Sequence, residues 1–213
     1  MKIYENILSK DLFEECLREL NSLVLLDVWN NSEFRWGKDV QTGFVGVINA
    51  TSVSENLSIK LWEELKHYLG EYGGEIDEHG NKIDTNEIGF QFYIWNKGSA
   101  IPEHTDHQYT FGASIYLNHE WSSSWGGLFV WQEGSSNIDK DRELHALCPK
   151  KNLMVVNNLK EPHLVTIISP IAPEPRISIQ IWGKVSSSCC DATPHPEQWT
   201  SHKPRNIYLG DRH

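Results

Sequence analysis

The sequence predicts a mainly β domain, a sandwich, jelly roll or barrel, with two helices ahead of it. From Ile88 onward, six short apolar or alternating runs follow one another between turn residues, with no helical periodicity among them. Ahead of them, two segments repeat apolar residues at helical spacing, so helices come first and the β core second. The 213 residues, 39% hydrophobic and 11% aromatic, are enough to fill a sizeable core. The expected organisation is one domain over 1–213, with a helical support region (1–87), a β core (88–184) and an extended tail (185–213).

The first helix is expected over residues 9–21, SKDLFEECLRELN. There Leu12, Phe13, Cys16, Leu17 and Leu20 share one face behind a capping Ser9. The second is expected over 54–70, SENLSIKLWEELKHYLG, with Leu57, Leu61, Trp62, Leu65 and Leu69 apolar and Gly70 as its stop. Between them FRWGKDVQTGFVGVINATS reads as irregular chain or short strand, and the acidic, glycine-rich EYGGEIDEHGNKIDTNE as a loop. The β runs are GFQFYIWN, FGASIYLN, GLFVWQE, NLMVVNN, HLVTIIS and RISIQIWG.

Nineteen basic against twenty-nine acidic residues give a formal net charge of −10, which argues against nucleic acid as a partner. The N-terminus has no basic segment followed by an apolar one. No stretch approaches the roughly 18 apolar residues of a membrane span, so a cytoplasmic protein with no membrane partner is expected. Cys16, Cys148, Cys189 and Cys190 lack the paired spacing of a zinc site and are expected as reduced thiols.

Chemistry concentrates in IPEHTDHQYTFGASIYLNHEW, residues 101–121. His104 and Asp106 are two apart, so on an extended chain both project to one face. Two histidines and a carboxylate on one face form the arrangement of non-haem Fe(II) sites, which requires a distant third ligand. His163, opening HLVTIIS and facing as Val165 and Ile167 do, is the best candidate; His119 and His145 fall in loops or outside the β core. His107 points to the opposite face and is read as structural or substrate-side. A surface His and Asp beside a turn is the plain alternative for the HTD segment.

In RISIQIWG, Ile177, Ile179 and Ile181 alternate with Arg176, Ser178, Gln180 and Trp182. A guanidinium inside a small barrel costs several kcal/mol, roughly, unless an anion meets it, so Arg176 either binds a carboxylate or lies on an exposed edge strand.

The ordered set HTD (104–106), YLN (116–118), GGLFVW (126–131), PKKNLMVV (149–156), HLV (163–165) and RISIQIWG (176–183) resembles the Fe(II)- and 2-oxoglutarate-dependent dioxygenases, most closely their prolyl-hydroxylase-like branch. The resemblance covers roughly 88–184. It implies a double-stranded β-helix, the jelly roll of cupin-like proteins, with His104, Asp106 and His163 as iron ligands. It also implies that Arg176 pairs the distal carboxylate of 2-oxoglutarate, with Tyr116 and Ser178 adding hydroxyls and Tyr93 or Trp95 lining the pocket. Leu128 departs from the family, which often has an acidic residue there. The implied cofactors are Fe(II), 2-oxoglutarate as co-substrate and O2, with ascorbate as reductant. The implied reaction hydroxylates an unactivated C–H of a prolyl residue in a peptide or protein. The alternatives are a free amino acid or other small metabolite as substrate, or a jelly-roll binding protein without catalysis. Trp95, Trp121, Trp125 and Trp131 are expected around the rim of the site.

Overall fold

The computed structural model describes residues 1–25, 33–34, 48–69, 88–106, 111–133, 143–157 and 161–183. In chain order these form β1 (Lys2–Glu5), α1 (Lys10–Leu25), β2 (Glu33–Phe34), β3 (Ile48–Ser52), α2 (Glu55–Leu69), β4 (Gly89–Trp95), β5 (Ile101–His104), β6 (Gly112–Tyr116), β7 (Phe129–Glu133), β8 (Glu143–Leu147), β9 (Leu153–Asn157), β10 (His163–Val165) and β11 (Arg176–Trp182). A seven-stranded sheet runs β1-β9-β6-β11-β4-β3-β2, and a four-stranded sheet runs β5-β10-β7-β8. The two face each other as a double-stranded β-helix, or jelly roll.

Period-two alternation divides the large sheet between two cores. On its outer face Phe90, Phe92, Ala113, Ile115, Met154, Val156, Ile179 and Ile181 pack on the apolar stripes of both helices. Those stripes are Leu12, Phe13, Cys16 and Leu20 of α1, and Leu57, Leu61, Leu65 and Leu69 of α2. Tyr93, Trp95, Tyr116, Leu153 and Val155 point the other way, into the barrel, and meet Ile101, Phe129, Trp131 and Val165 of the small sheet. Each such Leu, Ile or Phe stabilises the fold by about 1.5–3 kcal/mol relative to an exposed side chain. The helices are therefore the outer layer, and the inner face of the large sheet is left to line the barrel.

The helices also cap one another. Ser9 accepts from Leu12 N at 3.4 Å across the first turn of α1, and its own hydroxyl donates to Glu64 of α2 at 3.1 Å. The Ser9 amide also donates to Glu64. Ser54 does the same for α2, accepting from Leu57 N at 3.4 Å and donating its amide and hydroxyl to Glu19 of α1, both at 2.6 Å. Each N-terminus thus lies beside a later turn of the other helix, so the pair is antiparallel. A carboxylate there also suits the positive end of each helix dipole. Lys60 of α2 adds an ion pair with Glu15 at 2.6 Å.

Each of the six expected β runs contains a strand. The chain differs from expectation in three places. β1 pairs with β9 and closes one edge of the large sheet, though KIYE is too short to show a period. His145, expected outside the β core, lies in β8 opposite Trp131, on a strand too exposed to announce itself by alternation. Ile167 does not continue the face of His163 and Val165, because β10 ends at Val165; Ile167 is 47% exposed and Ile168 is buried instead. Cys16 is buried beside Glu19 and Glu15, and burial first, then those carboxylates, push its thiol from the usual 9.0 to about 12. Gly70, the 71–87 loop, His107, Cys189, Cys190 and the 185–213 tail lie outside the described residues. Among the described residues no helix is long and apolar enough to cross a membrane.

Candidate functional site

β10 lies between β5 and β7, and its first residue, His163, pairs with His104 on one side and Trp131 on the other. Directly opposed residues of an antiparallel pair project to the same face, so the two imidazoles meet, their ring centroids 4.3 Å apart. Asp106, two residues past His104, returns to that side. Its Oδ1 lies 3.6 Å from His104 Nε2 and its Oδ2 3.2 Å from His163 Nε2. One ligand atom from each of the three residues falls within 4.8 Å of the others.

Both imidazoles are held by the same device. Nδ1 of His104 donates to the carbonyl of Pro102 at 2.8 Å, and Nδ1 of His163 to that of Glu161 at 3.0 Å. In each case the acceptor is two residues earlier in the chain. With a proton fixed on Nδ1, each ring turns Nε2 toward Asp106, and that is the nitrogen a metal takes once it carries no proton. Asp106 is 1% exposed; its Oδ2 accepts from Asn157 Nδ2 at 2.8 Å, and its Oδ1 is buried without a hydrogen-bond partner.

The electrostatics divide the three groups. Burial, then the neighbouring His163, hold His104 below the usual imidazole range. Burial pushes His163 the same way, but the hydrogen bond and charge of Asp106 outweigh it and raise the group. Burial pushes Asp106 up, yet His163, His104 and the Asn157 amide together hold it below the ordinary carboxylate range. A buried anion with an unused oxygen, facing the Nε2 atoms of two imidazoles, fits a divalent cation that takes the place of a proton between them.

Across the barrel, β11 lies between β4 and β6 and turns Arg176, Ser178 and Gln180 inward. Arg176 is 1% exposed, with its guanidinium 4.5 Å above the Trp95 ring and 4.8 Å from that of Tyr116. Its Nε and Nη1 and the Tyr116 hydroxyl are buried without acceptors or donors, and among the described residues no carboxylate pairs with the guanidinium. Burial lowers Arg176 and raises Tyr116, and each counters the other's shift. An anion placed there satisfies three unused polar atoms at once, and a carboxylate matches the fork of the guanidinium.

The surroundings hold Arg176 in place. Asn118 donates to the Pro175 carbonyl and to Glu174, each at 2.9 Å, and accepts from Ile177 N at 2.7 Å, which fixes the chain on both sides of Arg176. Gly127, at φ +64, lies against the arginine stem; a Cβ there would sit 2.9 Å from Arg176 Cδ and 2.4 Å from Ile168 Cδ1. The triad and Arg176 border one cleft of about 410 Å³, its mouth included, whose walls include Tyr93 and Trp95.

Ser178 does not border that cleft. Its Oγ accepts from Trp95 Nε1 at 3.2 Å and from Gln180 Nε2 at 3.5 Å, so it anchors the indole on which Arg176 lies. The expected rim of tryptophans also divides. Trp95 is fully buried beneath Arg176, and Trp131 is buried and stacked on His145 with ring centroids 5.3 Å apart. Trp121 and Trp125 are half-buried, and Trp121 Nε1 donates to the Gly126 carbonyl at 2.8 Å, bracing the glycine turn. Gln180 also lines the cleft, on the face of RISIQIWG that it shares with Arg176, and so does Asn157, which carries no motif of its own and is brought there by strand pairing.

No family model and no curated protein matches the sequence. Solved structures do match its fold. A Pseudomonas putida prolyl-4-hydroxylase is 14% identical at a TM-score of 0.57, over 87% of this chain and 92% of that one. A prolyl hydroxylase from Trichoplax adhaerens, in complex with a hypoxia inducible factor oxygen degradation domain peptide fragment, is 15% identical at a TM-score of 0.61, over 91% and 87%. The non-heme alpha ketoglutarate dependent epimerase SnoN from nogalamycin biosynthesis is 11% identical at a TM-score of 0.59, over 84% and 76%. The chain therefore has the jelly-roll fold of the 2-oxoglutarate-Fe(II) oxygenases and gathers a His-Asp-His group inside it.

Proposed function

We propose that the chain is an Fe(II)- and 2-oxoglutarate-dependent dioxygenase that hydroxylates an unactivated C–H, with a prolyl residue of a peptide or protein as substrate. The observation that carries the reading is the pairing, across one cleft, of a buried His-Asp-His group with a buried arginine that lacks an anion. A metal-binding module without catalysis has no use for a second, carboxylate-seeking group on the facing wall.

His104 and His163 would hold Fe(II) through Nε2 and Asp106 through its carboxylate. Arg176, with the Tyr116 hydroxyl beside it, would bind the distal carboxylate of 2-oxoglutarate. Ser178 contributes through Trp95, and Tyr93 walls the cleft. Once bound, Fe(II), 2-oxoglutarate and O2 supply the oxidative decarboxylation to succinate and CO2 together with the C–H hydroxylation, with ascorbate as external reductant. The protein orients the ligand imidazoles, presents a preformed cationic clamp and sets both on a cleft walled by Tyr93, Trp95 and Phe129.

The prolyl substrate is supported by two fold neighbours that are prolyl hydroxylases, one of them with a peptide bound. A small-molecule substrate is the second reading. It is favoured by SnoN, whose fold is equally similar and which has been solved with Fe3+, alpha ketoglutarate and nogalamycin RO. Turnover of 2-oxoglutarate against peptide and small-molecule panels separates the two. Wild-type protein should form succinate, and His163→Ala should form none. Succinate production retained in that variant contradicts the ligand assignment.

A further inference from the structure

We propose that Asn157 is the positioning residue of the metal centre, locking the carboxylate of Asp106 in the orientation in which it binds the cation. This rests on the metal reading above and adds a residue to it.

Among the described residues, each of the three ligand side chains has a hydrogen-bond partner outside the triad. For His104 and His163 the partner is a backbone carbonyl two residues back. Among the described residues Asp106 has no backbone donor of that kind, and its hydrogen bond from outside the imidazole pair comes from Asn157 Nδ2 at 2.8 Å, across 51 residues of sequence. A carboxylate turns easily about its last torsion, which is broad and two-fold, so the Asn157 donor is what holds its plane from the side away from the imidazoles.

Asn157 suits the task for three reasons. It is the last residue of β9 and projects inward with Leu153 and Val155, so the sheet register fixes its place. Its side chain also borders the cleft that the triad borders, so the amide meets the carboxylate inside the barrel; Gly112 stands opposite, where a Cβ would meet Asn157 Nδ2 only at an ordinary contact distance of 3.5 Å. Finally, the orientation of the amide is decided by chemistry. An ionised carboxylate only accepts, so the nitrogen of Asn157 must face Asp106 and its Oδ1 must face away. That Oδ1 is buried without a partner in a residue 5% exposed, so the side chain gives up one hydrogen bond of its own to supply this one.

The test is the affinity of the full chain for Mn(II), followed by electron paramagnetic resonance, with the visible spectrum of the Co(II) form as a second readout. Asn157→Ala and the near-isosteric Asn157→Leu should each bind Mn(II) roughly tenfold to a hundredfold more weakly than wild type, with an altered Co(II) spectrum. The control is Asn152→Gly. Asn152 is equally buried and holds the Leu8 backbone through bonds of 2.9 and 2.7 Å, far from the triad in its contacts, and at φ 56 it accepts glycine without strain. That variant should lose stability but keep its Mn(II) affinity and Co(II) spectrum. Folded Asn157 variants that bind Mn(II) like wild type, or an Asn152→Gly variant that loses affinity equally, would overturn the positioning role while leaving the triad intact. Wild-type protein that binds neither ion would instead overturn the metal reading itself.

Discussion

A guanidinium buried to 1% exposure between two aromatic rings, with donors unused, is an unfavourable arrangement in a protein that has nothing to bind there. Arg176→Ala should therefore weaken 2-oxoglutarate binding about 10- to 150-fold, the loss of a charge-assisted hydrogen bond of roughly 1.5–3 kcal/mol, without weakening Mn(II) binding. Titration of the intrinsic tryptophan fluorescence, to which Trp95 under the guanidinium contributes, measures it. Unchanged affinity would remove Arg176 from the co-substrate site. Much of this was legible in the sequence, because parity on a strand is a strong constraint. His104 and Asp106 share a face by their spacing, and Arg176 is separated from the greasy Ile177, Ile179 and Ile181 by alternation. Asn157 was not legible, because its partner is 51 residues away and is reached only through strand pairing. Ser178 was read with the right face but a different neighbour: on the expected side of β11, its oxygen is taken up by Trp95 and Gln180.

At the scale of elements, the helices are the best specified part of the sequence. Their apolar stripes and serine caps predicted α1 and α2 nearly to their starts. What the pattern does not contain is that each cap is completed by the other helix, Glu64 on Ser9 and Glu19 on Ser54. Glu19→Ala and Glu64→Ala should each lower stability by about 1 kcal/mol, in the range of a lost N-cap, and the effect should be read as a shifted urea midpoint. Because both carboxylates also tie one helix to the other, neither loss should alter metal affinity; an Mn(II) affinity that fell with either would show the helices reaching the site. Strands β1 and β8 escaped sequence reading for opposite reasons. The first is four residues long, and the second, ELHAL, is mostly exposed and lacks a greasy face. The glycine pair was visible as a motif, but its reason is steric: Gly127 lies where any side chain would strike Ile168 and the stem of Arg176.

The whole molecule assigns the two halves of its chemistry to two sheets. The small sheet and the chain just past β5 carry the His-Asp-His group; the large sheet, backed by both helices, carries Arg176, Tyr116 and Asn157. HTD and HLV fall on or beside one sheet and YLN and RISIQIWG on or beside the other, a division that strand pairing reveals and motif order alone does not. The proposed function requires both halves to act on one ligand, held by the metal at one end and by the guanidinium at the other. The most direct measurement is the visible absorption of the full chain under anaerobic conditions as Fe(II) and then 2-oxoglutarate are added. A metal-to-ligand charge-transfer band that appears only with both present, and is absent in His163→Ala, is the predicted result. Folded wild-type protein that shows no such band would contradict the account.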